Sequence, residues 1–155
     1  MKNRTFSLLL LLLVLFSCSD SKESVTMVNT GGVWSKEQAL VFTLPDRRAE
    51  ESKEVFFIVR NNAAYPYQNL VLEVEVTDGA TQQKVRERIT CSLTNDQGQW
   101  KGHGFGEVKE LHYFYRKLPS TKSVLTLRHK MPRKQLPGIE DIGIKLKTVS
   151  SDDGK

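Results

Sequence analysis

Helical periodicity is nearly absent from this chain, and so are the residues that build most catalytic and metal centres. The 155 residues include only two cysteines and three histidines. His103, His112 and His129 are too scattered for an H-x-x-x-H pair, and Cys91 has no second thiol near it for zinc. No nucleophile elbow is present, and Glu50-Glu51 and Glu140-Asp141 lie in a charged loop and beside a Pro-Gly turn, not as a paired acid and base. No catalytic residue, metal site or cofactor is therefore expected. Charge of one sign is lacking too. The 23 basic and 18 acidic residues are interspersed, with no basic stripe to follow a nucleic-acid backbone. A small-molecule ligand is likewise not expected.

Long apolar runs are limited to one, Leu8 to Phe16. It is too short to span a bilayer, which takes roughly 20 apolar residues. Lys2 and Arg4 precede it and small residues follow, the order of a signal peptide. Within it Leu15-Phe16-Ser17-Cys18 resembles the lipobox of bacterial lipoproteins, where cleavage before the cysteine accompanies acylation of its thiol. Residues 1–17 read as a lipoprotein signal peptide and Cys18 as the lipid attachment. Cys91 then has no disulfide partner. Without Lys2 and Arg4 the remaining chain carries 21 basic against 18 acidic residues, a weak bias.

From Ser19 to Gly32 the residues are small, polar or charged, without an apolar period, so residues 18–32 read as a lipidated cysteine and flexible tether. Residues 150–155 read as a disordered tail. Between them, residues 33–149 show short β-branched and aromatic runs broken by turn residues. Ala39–Leu44 is the first. Glu54–Arg60 is apolar on both alternating faces and fits a central strand covered on both sides. Asn69–Thr77 puts Leu70, Leu72, Val74 and Val76 on one face and Glu73 and Glu75 on the other, and Asp78-Gly79 turns the chain. In the next strand Val85, Ile89, Cys91 and Leu93 share an inward parity, with Cys91 a small buried hydrophobe. Phe105–Tyr115, Ser123–Lys130 and Gly138–Thr148 complete the set. Seven or eight strands in about 115 residues predict an all-β fold, an antiparallel β-sandwich of immunoglobulin-like or jelly-roll-like type.

Two segments invite a binding role. Arg60-Asn61-Asn62 runs into Tyr65-Pro66-Tyr67, where the proline holds Tyr65 extended and aims the two rings apart. Gly98-Gln99-Trp100-Lys101-Gly102-His103-Gly104 lacks the spacing of a dinucleotide loop and reads as bared backbone over which a large neighbour such as Trp100 or Trp34 lies, or as a bulge. Arg60, Tyr65, Tyr67 and Trp100 are the candidate partner-binding residues. The basic run Arg128–Lys134 reads as a solvated loop.

These pieces together, with Leu136-Pro137-Gly138-Ile139 and Asp141-Ile142-Gly143-Ile144, resemble the GldH family of gliding-motility lipoproteins from Bacteroidetes over nearly the whole mature domain. The resemblance implies a lipid-anchored outer-membrane protein of the machinery that moves cells over surfaces, linked to type IX secretion, with other envelope proteins as partners and no enzymatic activity. Ser19-Asp20-Ser21-Lys22-Glu23 is similar to surface-directing signals of that phylum in part, leaving the periplasmic face and the cell surface both open. An alternative reading is a surface carbohydrate-binding lipoprotein displaying Trp100, Trp34 or Tyr113 as a flat platform.

Overall fold

The computed structural model describes residues 23–46, 51–104, 106–119 and 121–150. Residues 1–17, read above as a signal peptide, the lipid-attachment candidate Cys18 and residues 151–155 lie outside them. The described residues form ten strands and no helix: β1 (Glu23–Asn29), β2 (Val33–Ser35), β3 (Leu40–Leu44), β4 (Glu51–Asn61), β5 (Asn69–Asp78), β6 (Lys84–Ser92), β7 (Lys109–Leu118), β8 (Ser123–His129), β9 (Gln135–Pro137) and β10 (Ile139–Ser150). Alternation drives them. In β5 Leu70, Leu72 and Val74 are buried, and in β8 Leu125 and Leu127 are, while the residues between face outward.

Two four-stranded antiparallel sheets, ordered β1-β10-β4-β7 and β3-β8-β5-β6, enclose the core, and β2 pairs with β9 at one end. Trp34, Phe42, Phe57, Leu72, Leu127 and Ile142 fill the space between them. This is the expected antiparallel sandwich. At roughly 3.4 Å per residue, the twelve residues of β10 make it about 40 Å long. Its two ends differ. Glu23 enters at one, the entry end, together with the β5–β6 and β7–β8 turns. The distal end carries β2, β9, the 61–69 corner and the loop from Leu93 to Val108.

One sheet edge is laced to the other. Tyr115 is an extra residue in β7, a bulge where Val55 pairs with Arg116 and Phe56 with Phe114. It stacks on Phe57 at 4.8 Å, and its hydroxyl donates to Glu87 of β6, which Arg116 also meets.

Several expectations need correction. Glu23–Asn29 is not tether but an edge strand, in uninterrupted register with β10 from Glu23↔Lys147 to Asn29↔Asp141. The reason lies in Gly143. A methyl group there would collide with Met27 and sit 2.7 Å from the Thr26 carbonyl, so its absence lets β1 close on β10. β4 is central, yet its outer face is covered only in part. Ile58 is buried, Phe56 half-buried, and Phe114 beside it is 48% exposed. Val85 shares the inward parity but is 56% exposed, because it lies at the end of an edge strand. Strand β7 begins at Lys109, after the 100–108 loop. Cys91 is a free, fully buried thiol, and burial pushes it up to about 12.

Candidate functional site

The distal end gathers most of the segments singled out above, and turn chemistry explains how. Gly138 has φ of +79°, a left-handed conformation favouring glycine, and a Cβ there would overlap the Tyr65 backbone nitrogen. The two loops can therefore touch. Gly138 N–H donates to Gly32 O at 2.9 Å, and Asn62 N–H donates to Gly138 O at 2.9 Å. Glu140 is an extra residue in β10, and its carboxylate accepts from the Asn62 side chain. Its carbonyl accepts from the Thr30 N–H at 2.9 Å.

Tyr65 is 3% exposed, its hydroxyl donating to Asn69 O at 2.7 Å, and burial pushes its phenol well above the ordinary value. The two tyrosine rings are not aimed apart as expected: that of Tyr65 meets Tyr67 edge-on at 5.8 Å and lies 6.4 Å from Trp100, both of these partly buried against the core. Three of the four candidate residues thus come together. Arg60 does not join them. It lies on the outer face of β4, where it donates to Asp141 Oδ2 at 3.0 Å and lies 3.6 Å from Glu110. Asn29 of β1 donates to the other Asp141 oxygen at 2.9 Å, so one carboxylate links three strands.

The glycine loop packs as expected in kind, but on a different neighbour. His103 and Glu110 exchange backbone hydrogen bonds at 2.8 and 2.9 Å, folding the loop onto β7. A Cβ at Gly102 would stand 3.0 Å from the Glu110 backbone, and one at Gly104 would meet Val108 O at 2.5 Å. The bared face receives a strand backbone, not an indole. Arg60, His103, Gly104, Val108 and Glu110 line an open depression of about 310 Å³. Glu110 is not singled out in the sequence, and His103 and Asp141 are named there without a role beside Arg60. Asp141 shared only its DIGI alternation with β10, and nothing local paired it with Arg60.

Trp34 is wholly buried, donating from Nε1 to Gln38 O at 3.2 Å, which removes it from any exposed aromatic platform. The run Arg128–Lys134 is not wholly a solvated loop: Arg128 and His129 close β8, Met131 and His129 are buried, and His129 packs edge-on against Trp34 at 5.2 Å. Its Nε2 meets Trp34 O at 3.1 Å and Nδ1 has no partner among the described residues, an arrangement of a neutral ring donating from Nε2. No group of three or more His, Cys, Asp or Glu among the described residues could hold a metal ion.

What the fold and this end define is a β-sandwich domain whose polar groups chiefly secure its own turns, with half-buried aromatics and the ion-paired Arg60 toward its distal end. The chain belongs to the GldH lipoprotein family, whose profile matches residues 21–146. It is 26% identical over 148 residues to the gliding motility lipoprotein GldH of Flavobacterium johnsoniae, covering 90% of this chain and 92% of that one. It is 27% identical over 147 residues to a gliding motility lipoprotein GldH homolog of Christiangramia forsetii, covering 86% and 89%. Among solved structures, a CBM35 from Cellvibrio japonicus Abf62 is similar over 83% of this chain and 99% of its own, with TM-score 0.41 and 10% identity.

Proposed function

We propose that this chain is an outer-membrane lipoprotein, acylated at Cys18, whose sandwich is a non-enzymatic assembly component of the gliding machinery linked to type IX secretion. The family match across residues 21–146 carries the reading. Physical chemistry agrees with it. Three acyl chains bury tens of methylenes at about 0.8 kcal/mol each, so anchoring needs no further bilayer contact and the protein surface is free for partners. Tyr67, Trp100 and Arg60 present the residue types that dominate interface energies, and Tyr65 supports the first two from beneath.

Radiolabelled palmitate fed to cells tests the anchor: label enters the mature chain, and Cys18→Ser releases the chain from membranes. Unlabelled, membrane-retained protein refutes it. For the partner surface, Tyr67→Ala and Trp100→Ala weaken recovery of envelope partners in native pull-downs without loss of fold. Unchanged recovery moves the interface elsewhere. Protease access in intact cells assigns the face of the membrane.

A further inference from the structure

The two sheets expose four edges, β1, β7, β3 and β6, and three are guarded. Strand β6 carries Lys84, Arg86 and Arg88, and β7 is bulged at Tyr115 and carries Arg116 and Lys117. Strand β3 is five residues long and runs into Pro45. Charge, bulges, shortness and proline are the devices that stop sheets from adding strands. Strand β1 has neither bulge nor proline, and its one charged residue, Glu23, stands at its first position and meets Lys145 of β10 at 2.8 Å. Its seven residues, ESVTMVN, contain no Lys, Arg or Pro and run without a bulge along β10.

Its hydrogen-bonding phase is set by Thr30, whose N–H bonds to Glu140 O across the same pair of chains. Alternation in an antiparallel ladder then turns Val28 and Thr26 toward β10 and the backbone groups of Val25 and Met27 outward. No loop or turn hydrogen bond among the described residues uses the Val25 or Met27 backbone. Side chains leave the edge open as well. Ser24 and Thr26 are exposed on one side, and Val25 is 55% exposed on the other.

We infer that β1 is a docking edge, adding an extended segment of a different envelope protein as a fifth strand of the β1-β10-β4-β7 sheet. The incoming segment is five to seven residues long by the length of β1, apolar at alternate positions to lie beside Val25 and Met27, and small or polar between them. The tether identifies where that segment comes from, and here the inference rests on the anchor proposed above. Only Ser19–Lys22 separate Cys18 from Glu23, a reach of about 17 Å at roughly 3.4 Å per residue. The edge is thus held at the membrane surface, within reach of segments that another envelope protein presents there. A second copy fits poorly. Antiparallel self-pairing puts the two Glu23 ends at opposite ends of the joined sheet, so one copy of an upright pair has its tether pointing away from the bilayer.

Two measurements on the full chain test this. In the purified protein, amide exchange places Val25 and Met27 in the fast class and Thr26 and Val28 in the slow class. Protection of Val25 and Met27 in the monomer closes the edge and overturns the inference. In cells, a photo-crosslinking residue at position 26 gives one adduct with a different protein, at least five-fold stronger than from position 90 on β6. Adding Val25→Pro, which removes an outward N–H and leaves the β10 ladder intact, reduces the adduct at least ten-fold. Equal adducts from both edges, an adduct indifferent to Val25→Pro, an adduct with a second copy, or no adduct overturns it. Palmitate labelling and membrane retention of the Val25→Pro chain are read in parallel. Retained, labelled chain without an adduct counts against the edge alone, and unlabelled chain counts against the anchor.

Discussion

At the scale of single residues, the distal end rests on conformations that few side chains accept. Gly138 and Gly106 both have positive φ, +79° and +74°, but only Gly138 has a neighbour in the path of a Cβ. Gly106→Ala is expected to cost about 1 kcal/mol from backbone strain alone. Gly138→Ala adds the clash with Tyr65 and is expected to cost about 3 kcal/mol or more, read from urea midpoints at constant slope. His129 supplies a pH signature. Burial, together with the nearby Lys36 and Lys130, holds its pKa below the ordinary value, against a smaller opposing effect of the Trp34 carbonyl. The unfolded chain therefore takes up the proton first as pH falls. Stability is full above about pH 6.5 and declines below it toward the folded-state value. Glu75, held down by Arg86, and Asp78, held down by the Thr81 backbone and hydroxyl, are shifted below ordinary carboxylate values and act only at lower pH. Urea midpoints between pH 7.5 and 5 should fall for the parent chain and flatten in His129→Gln, which retains a donor for Trp34 O.

At the scale of elements, most strands were legible and a few were not, for identifiable reasons. Strands β5 and β10 alternate over ten and twelve residues, long enough for period two to stand out. β2 and β9 have three residues each, too few to show any period. β1 has apolar and polar residues on both faces, because neither face lies under the opposite sheet along its whole length. It is a strand because β10 offers it an edge and Gly143 leaves room for Met27. Gly143→Ala should therefore act chiefly on β1. The expected cost is about 1–3 kcal/mol of overpacking, with faster amide exchange at Thr26 and Val28 while β4 and β5 keep their protection. Replacing Met27 by Ala as well should not restore β1 fully, since the Thr26 carbonyl still opposes the added methyl.

For the whole molecule, the two ends of the sandwich differ in what they gather. The chain enters at Glu23, and most of the family-resembling segments cluster at the other end, beside β2 and β9. On the anchor proposed at Cys18, only four residues precede Glu23, so that proposal predicts an entry end close to the bilayer and a distal end tens of ångströms out. A fluorophore at Lys122, in the β7–β8 turn, should transfer energy to a headgroup acceptor more efficiently than one at Gln97, in the distal loop. Equal transfer would mean that the domain lies along the membrane.

Sequence alone determined the antiparallel sandwich and the family, because both depend on local alternation and on short segments whose order along the chain can be read directly. It also determined the burial of Cys91, whose strand parity was visible. Tertiary structure decided what those segments do for one another. Only folding could bring Asp141 to Arg60 across 81 positions, Gly138 to Tyr65 across 73, or turn the stretch Glu23–Asn29 into a sheet edge. Contacts between distant residues are set by register and loop closure, and neither leaves a mark on the neighbours of a residue in sequence.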